Sequence, residues 1–138
     1  MRAPTSILML ATLAAMPALA QSPFADLRGI WKGESESIAS GSGNTHHSKS
    51  SQSPRLTSVS FTLKIDKQDG RRFSGTFSSA RSIEPIIGVI SRNGTLYVVD
   101  TDGYTFGTVL APNQLELCYL QLKSDARIAS CTEMTKQP

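Results

Sequence analysis

The sequence has 138 residues, of which 14 are basic and 11 acidic, for a formal net charge of +3 at pH 7. The charges are scattered, and the densest basic point is the pair Arg71 and Arg72, whereas nucleic-acid-binding proteins carry a basic stripe with interleaved aromatic residues. The charge distribution therefore argues against nucleic acid as a partner. The length is that of one domain with a modest hydrophobic core.

The first twenty residues have the pattern of a secretory signal peptide. Arg2 is the only charge, an apolar run covers residues 7–15, and Ala-Leu-Ala at 18–20 is a small-x-small cleavage site. The run is shorter than the ~20 apolar residues that a membrane-spanning helix needs, and no later segment is long enough either. We expect cleavage after residue 20, a single mature domain over 21–138, and a periplasmic or secreted location.

The rest of the chain shows the alternation of apolar and polar residues that is typical of β-strands. Turn signals such as Asp69-Gly70 and Asn93-Gly94 separate the alternating segments and favour antiparallel hairpins. The candidate strands are 28–36, 56–66, 71–79, 86–91, 95–101, 104–111, 114–122 and 127–134. We predict an all-β, eight-stranded antiparallel up-and-down barrel, which leaves no bare sheet edge. A β-sandwich of the same strands is the alternative.

One connection differs from the others. Residues 37–55 are rich in Ser and Gly and nearly free of apolar side chains, so they bury too little to offset their ordering entropy. The composition predicts a flexible loop between the first two strands. In a barrel this loop lies at one mouth, where it would be placed to act as a lid.

The only two cysteines of the chain lie in the last predicted hairpin. With the tip of this hairpin at 124–125, Cys118 and Cys131 are directly opposite each other at a non-hydrogen-bonded pair. The Cα atoms of such a pair approach to about 4.5 Å, within the reach of a disulfide. Export would bring the pair to an oxidising compartment, so we predict a structural disulfide.

No group of residues forms a catalytic, metal-binding or cofactor-binding motif. His46 and His47 are adjacent in the loop and lack the spacing of zinc ligands. Residues 100–103 begin like a calcium loop but lack its closing Glu, so a hairpin turn is the better interpretation. Glu34 and Glu36 share one strand face without an identifiable partner acid or base. The sequence therefore predicts no catalytic residue, no metal and no cofactor.

The segment Gly29-Ile30-Trp31 resembles the Gly-x-Trp motif at the start of lipocalins and related calycins, which include avidin-like barrels and small periplasmic metalloprotease inhibitors. The resemblance implies that Trp31 plugs one end of the barrel. It also implies that a basic side chain from the last strand covers the indole ring. Lys136 stands in that place, where family members usually have Arg. No biotin-binding residues of the avidin type can be aligned, and none are carried over.

These features together predict an exported binding protein that is not an enzyme. The first hypothesis is a small apolar ligand held inside the barrel. The second is a protein-binding module such as an inhibitor of a secreted protease, in which residues 21–27 would enter the protease cleft, as the resemblance to the barrel inhibitors implies. An enzyme of unrecognised type ranks last. The sequence leaves open the identity of the ligand or partner, the oligomeric state, and whether the barrel is hollow or filled.

Overall fold

The computed structural model describes residues 24–48 and 52–138, so the predicted signal peptide lies outside the described residues. Over these two ranges no helix is long and apolar enough to cross a membrane. The strands of the described residues are β1 Gly29–Gly41, β2 Arg55–Thr57, β3 Ser60–Asp69, β4 Arg72–Ser78, β5 Ile83–Ile90, β6 Leu96–Val99, β7 Tyr104–Ala111, β8 Gln114–Leu122 and β9 Ala126–Lys136.

The strands form one antiparallel sheet that closes on itself, because β1 pairs with β9 as well as with β2 and β3. The short β2 pairs with the end of β1 and β3 pairs with its beginning, so these two strands occupy one place in the wall. The backbone of Val59 links them to β1, since its carbonyl accepts from the Ser35 N–H at 2.9 Å. The described residues thus form a closed eight-stranded barrel, which confirms the predicted fold over the sandwich.

Strand β1 extends five residues beyond its predicted end at residue 36. Its inward positions there are small side chains, Ser37 and Ala39, which lack the large apolar groups that mark a strand in a sequence. The segment 37–55 therefore contains the end of β1 and the beginning of β2, with a turn between them. Flexibility of the remaining residues stays a prediction.

One end of the barrel is closed by Trp31, whose side chain is buried. Its indole N–H donates to the carbonyl of Leu27 at 2.8 Å, so the chain before β1 folds back across this end. Lys136 is the cross-strand neighbour of Trp31, and its Nζ lies 5.2 Å from the centre of the ring. Gln68 holds the same N-terminal segment by accepting from the Leu27 N–H and donating to the Ala25 carbonyl, both at 2.8 Å.

The predicted disulfide joins Cys118 and Cys131, with an S–S distance of 2.01 Å and Cα atoms 4.1 Å apart. The two residues are direct partners in the register of β8 and β9, as the position of the hairpin tip required. Both face outward, where the bond ties the last two strands together on the outer surface of the barrel. An intramolecular disulfide is compatible with an extracellular location.

Candidate functional site

The end of the barrel opposite Trp31, which we call the mouth, is polar inside. Its wall carries buried hydroxyl groups on the inward positions of β1 and β9. The Ser37 Oγ lies 2.7 Å from the Ser130 Oγ and 3.0 Å from the Ser35 Oγ, so the hydroxyls form a connected chain. Polar groups in a barrel interior need such partners, because an unpaired buried hydroxyl is destabilising.

Residues 42–48, which we call the lid loop, fold over the mouth. The loop is shaped by Asn44, whose Oδ1 accepts from the backbone N–H groups of His46 and His47 at 2.9 and 2.6 Å. Gly43 adopts a φ of 77°, and a Cβ there would lie 2.6 Å from the His47 carbonyl oxygen. Glycine and asparagine are thus what this tight turn requires. The turn directs both imidazole rings inward, where they are only 5% and 3% exposed.

His46 bridges two polar groups of the barrel wall. Its Nδ1 lies 2.8 Å from the Ser79 Oγ, and its Nε2 lies 2.9 Å from the Glu84 Oε2. The Nε2 contact lacks the alignment of a hydrogen bond and is a close approach of an imidazole nitrogen and a carboxyl oxygen. The ring stands edge-on to Phe61 and Phe77, with centroid distances of 5.3 and 6.0 Å. Burial of a carboxyl group such as that of Glu84 is costly without a partner, and His46 is the partner that lies beside it.

His47 fills the neighbouring part of the mouth. Its Nδ1 lies 3.4 Å from the Thr57 Oγ1, and its ring packs 6.2 Å from that of Phe61. Burial lowers the pKa of His47, and the nearby His46 and Arg81 lower it further. The buried ring therefore favours the neutral form, and closing the lid over it disfavours uptake of a proton.

The rim of the mouth holds the lid loop through Asp102, in the turn between β6 and β7. Asp102 accepts from the Thr45 hydroxyl at 2.8 Å and from the Lys123 ammonium at 2.6 Å. These contacts, led by the Lys123 hydrogen bond, lower the pKa of Asp102. On the other side Asn44 donates to the hydroxyl of Tyr119 at 3.4 Å, and burial raises the pKa of that phenol. The lid is thus attached to the rim by a few polar contacts, not by an apolar seal.

Beneath the lid the mouth retains a cavity of about 20 Å³. This is room for one water molecule and no larger ligand. The cavity is lined by Asn44, His46, His47, Phe61, Phe77, Asp100, Thr105, Leu117, Tyr119, Ser130 and Thr132. Since apolar side chains pack the other half of the barrel, the interior is filled while the lid is closed.

Gln121 is the next inward position of β8 beyond Tyr119, toward the rim. It is 4% exposed, and neither its amide nitrogen nor its amide oxygen has a hydrogen-bond partner. Buried polar groups are nearly always paired, so an amide left unpaired at the mouth is a group with free binding capacity.

The structure separates the candidate residues of the sequence into two groups. His46 and His47, which the sequence set aside as loop residues, are the centre of the mouth. Glu34 and Glu36 lie on the outer surface and contribute nothing to the interior. Residues 100–103 form a hairpin turn, in which the Asp100 Oδ1 accepts from the backbone N–H groups of residues 102 and 103, both at 2.8 Å. Within the described ranges no three His, Cys, Asp or Glu side chains are grouped so that they could hold a metal ion.

Sequence reasoning missed Glu84, although a signal for it exists. Strand β5 places residues 84, 86, 88 and 90 on its inward face. The other inward positions are Ile or Gly, so the glutamate interrupts an apolar face. An acidic residue at such a position indicates either a bulge or a functional group. Extending the predicted strand by three residues toward its N-terminus would have shown that Glu84 lies on its inward face.

Comparison with known proteins assigns this chain to no family. No family model matches the sequence, and no curated protein matches it. The chain is similar to the solved structure of the S-type phycobiliprotein lyase CPES from Guillardia theta, with a TM-score of 0.36 and 10% identity. The match covers 81% of this chain and 89% of that chain. The eight-stranded antiparallel barrel fits a calycin-like fold only coarsely, and no family is assigned.

The prediction that the chain is not an enzyme is corrected at this point. The similar solved structure has the name of a lyase, which is an enzyme. The lack of a recognisable nucleophile or metal motif in this sequence does not by itself exclude catalytic activity. We withdraw the exclusion and take no particular activity from a likeness this low.

Proposed function

We propose that this is an exported protein that binds a small polar molecule in the mouth of the barrel, with the lid loop as a gate. The observation that carries the proposal is the His46 ring, which the lid loop inserts between Ser79 and Glu84. The signal-peptide pattern and the disulfide support export. A polar ligand replaces the apolar one expected from the sequence, because the apolar half of the barrel is filled and the mouth is lined by hydroxyl, amide and carboxyl groups.

The contacts of His46 define the ligand that would take its place. The ring is planar, lies between Phe61 and Phe77, and presents one nitrogen to a hydroxyl and the other to a carboxylate. A small planar molecule with two nitrogens matches these contacts, such as a nitrogen heterocycle or an aromatic amidine. The ligand therefore competes with the lid for the same site.

This competition gives the proposal a distinctive test. Imidazole, benzimidazole and benzamidine are titrated into the mature protein by isothermal calorimetry. His46→Ala removes the competing ring and is expected to raise the affinity about tenfold or more, since the site no longer has to be vacated first. Glu84→Gln removes the anionic partner and is expected to lower the affinity. Glu36→Gln, on the outer surface, is the matched control and leaves the affinity unchanged.

Two outcomes contradict the proposal. One is that none of the three probes binds to His46→Ala, although circular dichroism shows the variant to be folded. The other is that His46→Ala and Glu84→Gln change the affinity in the same direction. Native mass spectrometry of protein purified from its own host complements the titration, because a retained small molecule would identify the natural ligand.

Catalysis at Ser79 is the second candidate, and one observation favours it. The Ser79 Oγ lies 2.8 Å from the His46 Nδ1, a distance at which a base can activate a serine. The Glu84 carboxyl lies 2.9 Å from the other ring nitrogen, without an aligned hydrogen bond. The backbone N–H of Arg81 also reaches the Ser79 Oγ at 3.2 Å. Labelling with a fluorophosphonate probe tests this candidate. Modification of Ser79 that disappears in His46→Ala supports it, and an unmodified Ser79 contradicts it.

The inhibitor hypothesis gains no support from the N-terminal segment. Residues 24–27, the described part of 21–27, are held against the barrel by Gln68, and Leu27 is buried in the core. Residues 21–23 of the segment lie outside the described residues, so the inhibitor hypothesis stays a prediction.

A further inference from the structure

The outer surface of β5 to β8 carries a continuous apolar patch, which we call the apolar face. One row across the strands consists of direct neighbours, since Ile87 pairs with Val99, Val99 with Tyr104, and Tyr104 with Leu120. The next row contains Tyr97 and Phe106, which are also direct neighbours and whose rings meet edge to face at 5.9 Å. The exposed fractions of these side chains run from 38% for Val99 to 65% for Tyr104.

The apolar face has the size of the largest apolar patch on a typical monomer, and such patches are often functional. None of its six side chains is charged, and a groove of about 660 Å³ runs along it. The strand at its centre, β6, is diametrically opposite β1 in the barrel, so the face points away from β1 and lies outside the mouth cavity. Large exposed apolar patches on soluble domains mark surfaces that another molecule covers.

The charges that flank the apolar face point to a second copy of this chain as the molecule that covers it. On the β3–β4 side the groove is bordered by Lys67, Asp69 and Arg72. Asp69 forms an ion pair with Arg72, so Lys67 leaves this side with a net positive charge. On the β8–β9 side Glu116 and Glu133 are direct cross-strand neighbours, and such like charges repel each other. A two-fold axis that lies along β6 places the basic rim of one copy over the acidic rim of the other. The face is therefore complementary to itself, which an isologous interface requires.

We propose that the protein forms a homodimer through the apolar face. The six side chains expose roughly 500 Å² per copy, since an aromatic side chain carries ~150–250 Å² and about half of that is accessible here. A standard interface covers about 800 Å² per partner, and the polar rims supply the remainder. The apolar centre and charged rims match the usual anatomy of an interface.

Sedimentation velocity of the mature, disulfide-bonded chain over a hundredfold range of concentration tests the proposal. The wild type is expected to sediment as a dimer at the higher concentrations. Tyr104→Lys places a charge at the centre of the face and is expected to weaken the dimer at least about tenfold, as replacement of a central aromatic anchor does. Ile38→Lys is the matched control, because Ile38 is 46% exposed on β1, at the opposite side of the barrel, and the control is expected to remain dimeric.

A charge exchange tests the two-fold arrangement itself. Arg72→Glu is expected to weaken the dimer, and adding Glu116→Arg to it is expected to restore the dimer. All the exchanged side chains lie on the outer surface, so each variant is expected to fold. Circular dichroism checks that it does. A wild type that stays monomeric at every concentration overturns the proposal, as does an equal loss of dimer in Tyr104→Lys and Ile38→Lys.

Discussion

The contact between His46 and Glu84 allows a quantitative prediction about the mouth. Both side chains are more than nine-tenths buried, so His46→Ala leaves the Glu84 carboxyl buried without its partner. Breaking a buried pair in this way typically lowers the free energy of unfolding by about 3–5 kcal/mol. Opening of the lid limits the loss, because water that enters the mouth can solvate the carboxylate. We therefore expect a value at the lower end, about 3 kcal/mol.

A double-mutant cycle separates the charge from the packing. Glu84→Gln removes the charge at similar volume, and in combination with His46→Ala it is expected to recover ~1–3 kcal/mol relative to the sum of the single losses. His46→Phe keeps a ring between Phe61 and Phe77 but removes both nitrogens, so it is expected to be as destabilising as His46→Ala or more so. A phenylalanine cannot pair with the carboxylate, and it still excludes water from it.

Urea unfolding at pH 7, followed by far-ultraviolet circular dichroism and by the fluorescence of Trp31, supplies the free energies. Trp31 is the only tryptophan of the chain and lies at the opposite end of the barrel, so it reports on global unfolding. Unchanged m-values would show that the variants unfold from equally compact states. A loss below about 1 kcal/mol in His46→Ala, or strict additivity in the cycle, would refute the role assigned to the pair.

Three further predictions concern other parts of the barrel. Because burial lowers the pKa of His47, the unfolded chain binds a proton at this residue more readily than the folded chain, and stability is expected to fall as the pH drops below about 6.5. Thermal unfolding measured at several pH values checks this. His47→Gln is expected to make the melting temperature less dependent on pH. Trp31→Ala is expected to destabilise the fold by about 3–5 kcal/mol in chemical unfolding, and Lys136→Ala by only ~0.5–1 kcal/mol. Replacing Cys118 and Cys131 by Ala is expected to lower the melting temperature by an amount equivalent to at most ~3 kcal/mol, with unchanged strand content in circular dichroism.

The sequence was sufficient for the parts of the fold that local patterns determine. The tip of the last hairpin sets the register of β8 and β9, and this register alone brings Cys118 opposite Cys131. The alternation of apolar residues gives the strands, and their short connections give an antiparallel barrel. The length of strand β1 was underestimated because the inward side chains of its second half are serine and alanine, which give little hydrophobic signal.

The candidate site was not predictable, because its residues meet only in the closed barrel. Composition marks the lid loop as a segment that cannot bury enough apolar surface. What composition does not show is that the loop has partners in the barrel wall that are distant in sequence, such as Ser79, which is 33 residues from His46. The local signal that could have been used is Asn44, whose side chain shapes the turn that points the two histidines inward.

The mouth and the apolar face share one structural element, the turn between β6 and β7. Its inner side holds the lid, since Asp102 accepts from Thr45, and its two flanking residues, Val99 and Tyr104, are paired members of the apolar face. A partner copy that covers Val99 and Tyr104 would restrict this turn and thereby the anchor of the lid. Binding in the mouth and dimerisation would then be linked, and each must change the affinity of the other by the same factor. The two proposals remain separable, because a charge at Tyr104 leaves His46 and Glu84 untouched, whereas a change at Glu84 leaves the apolar face intact.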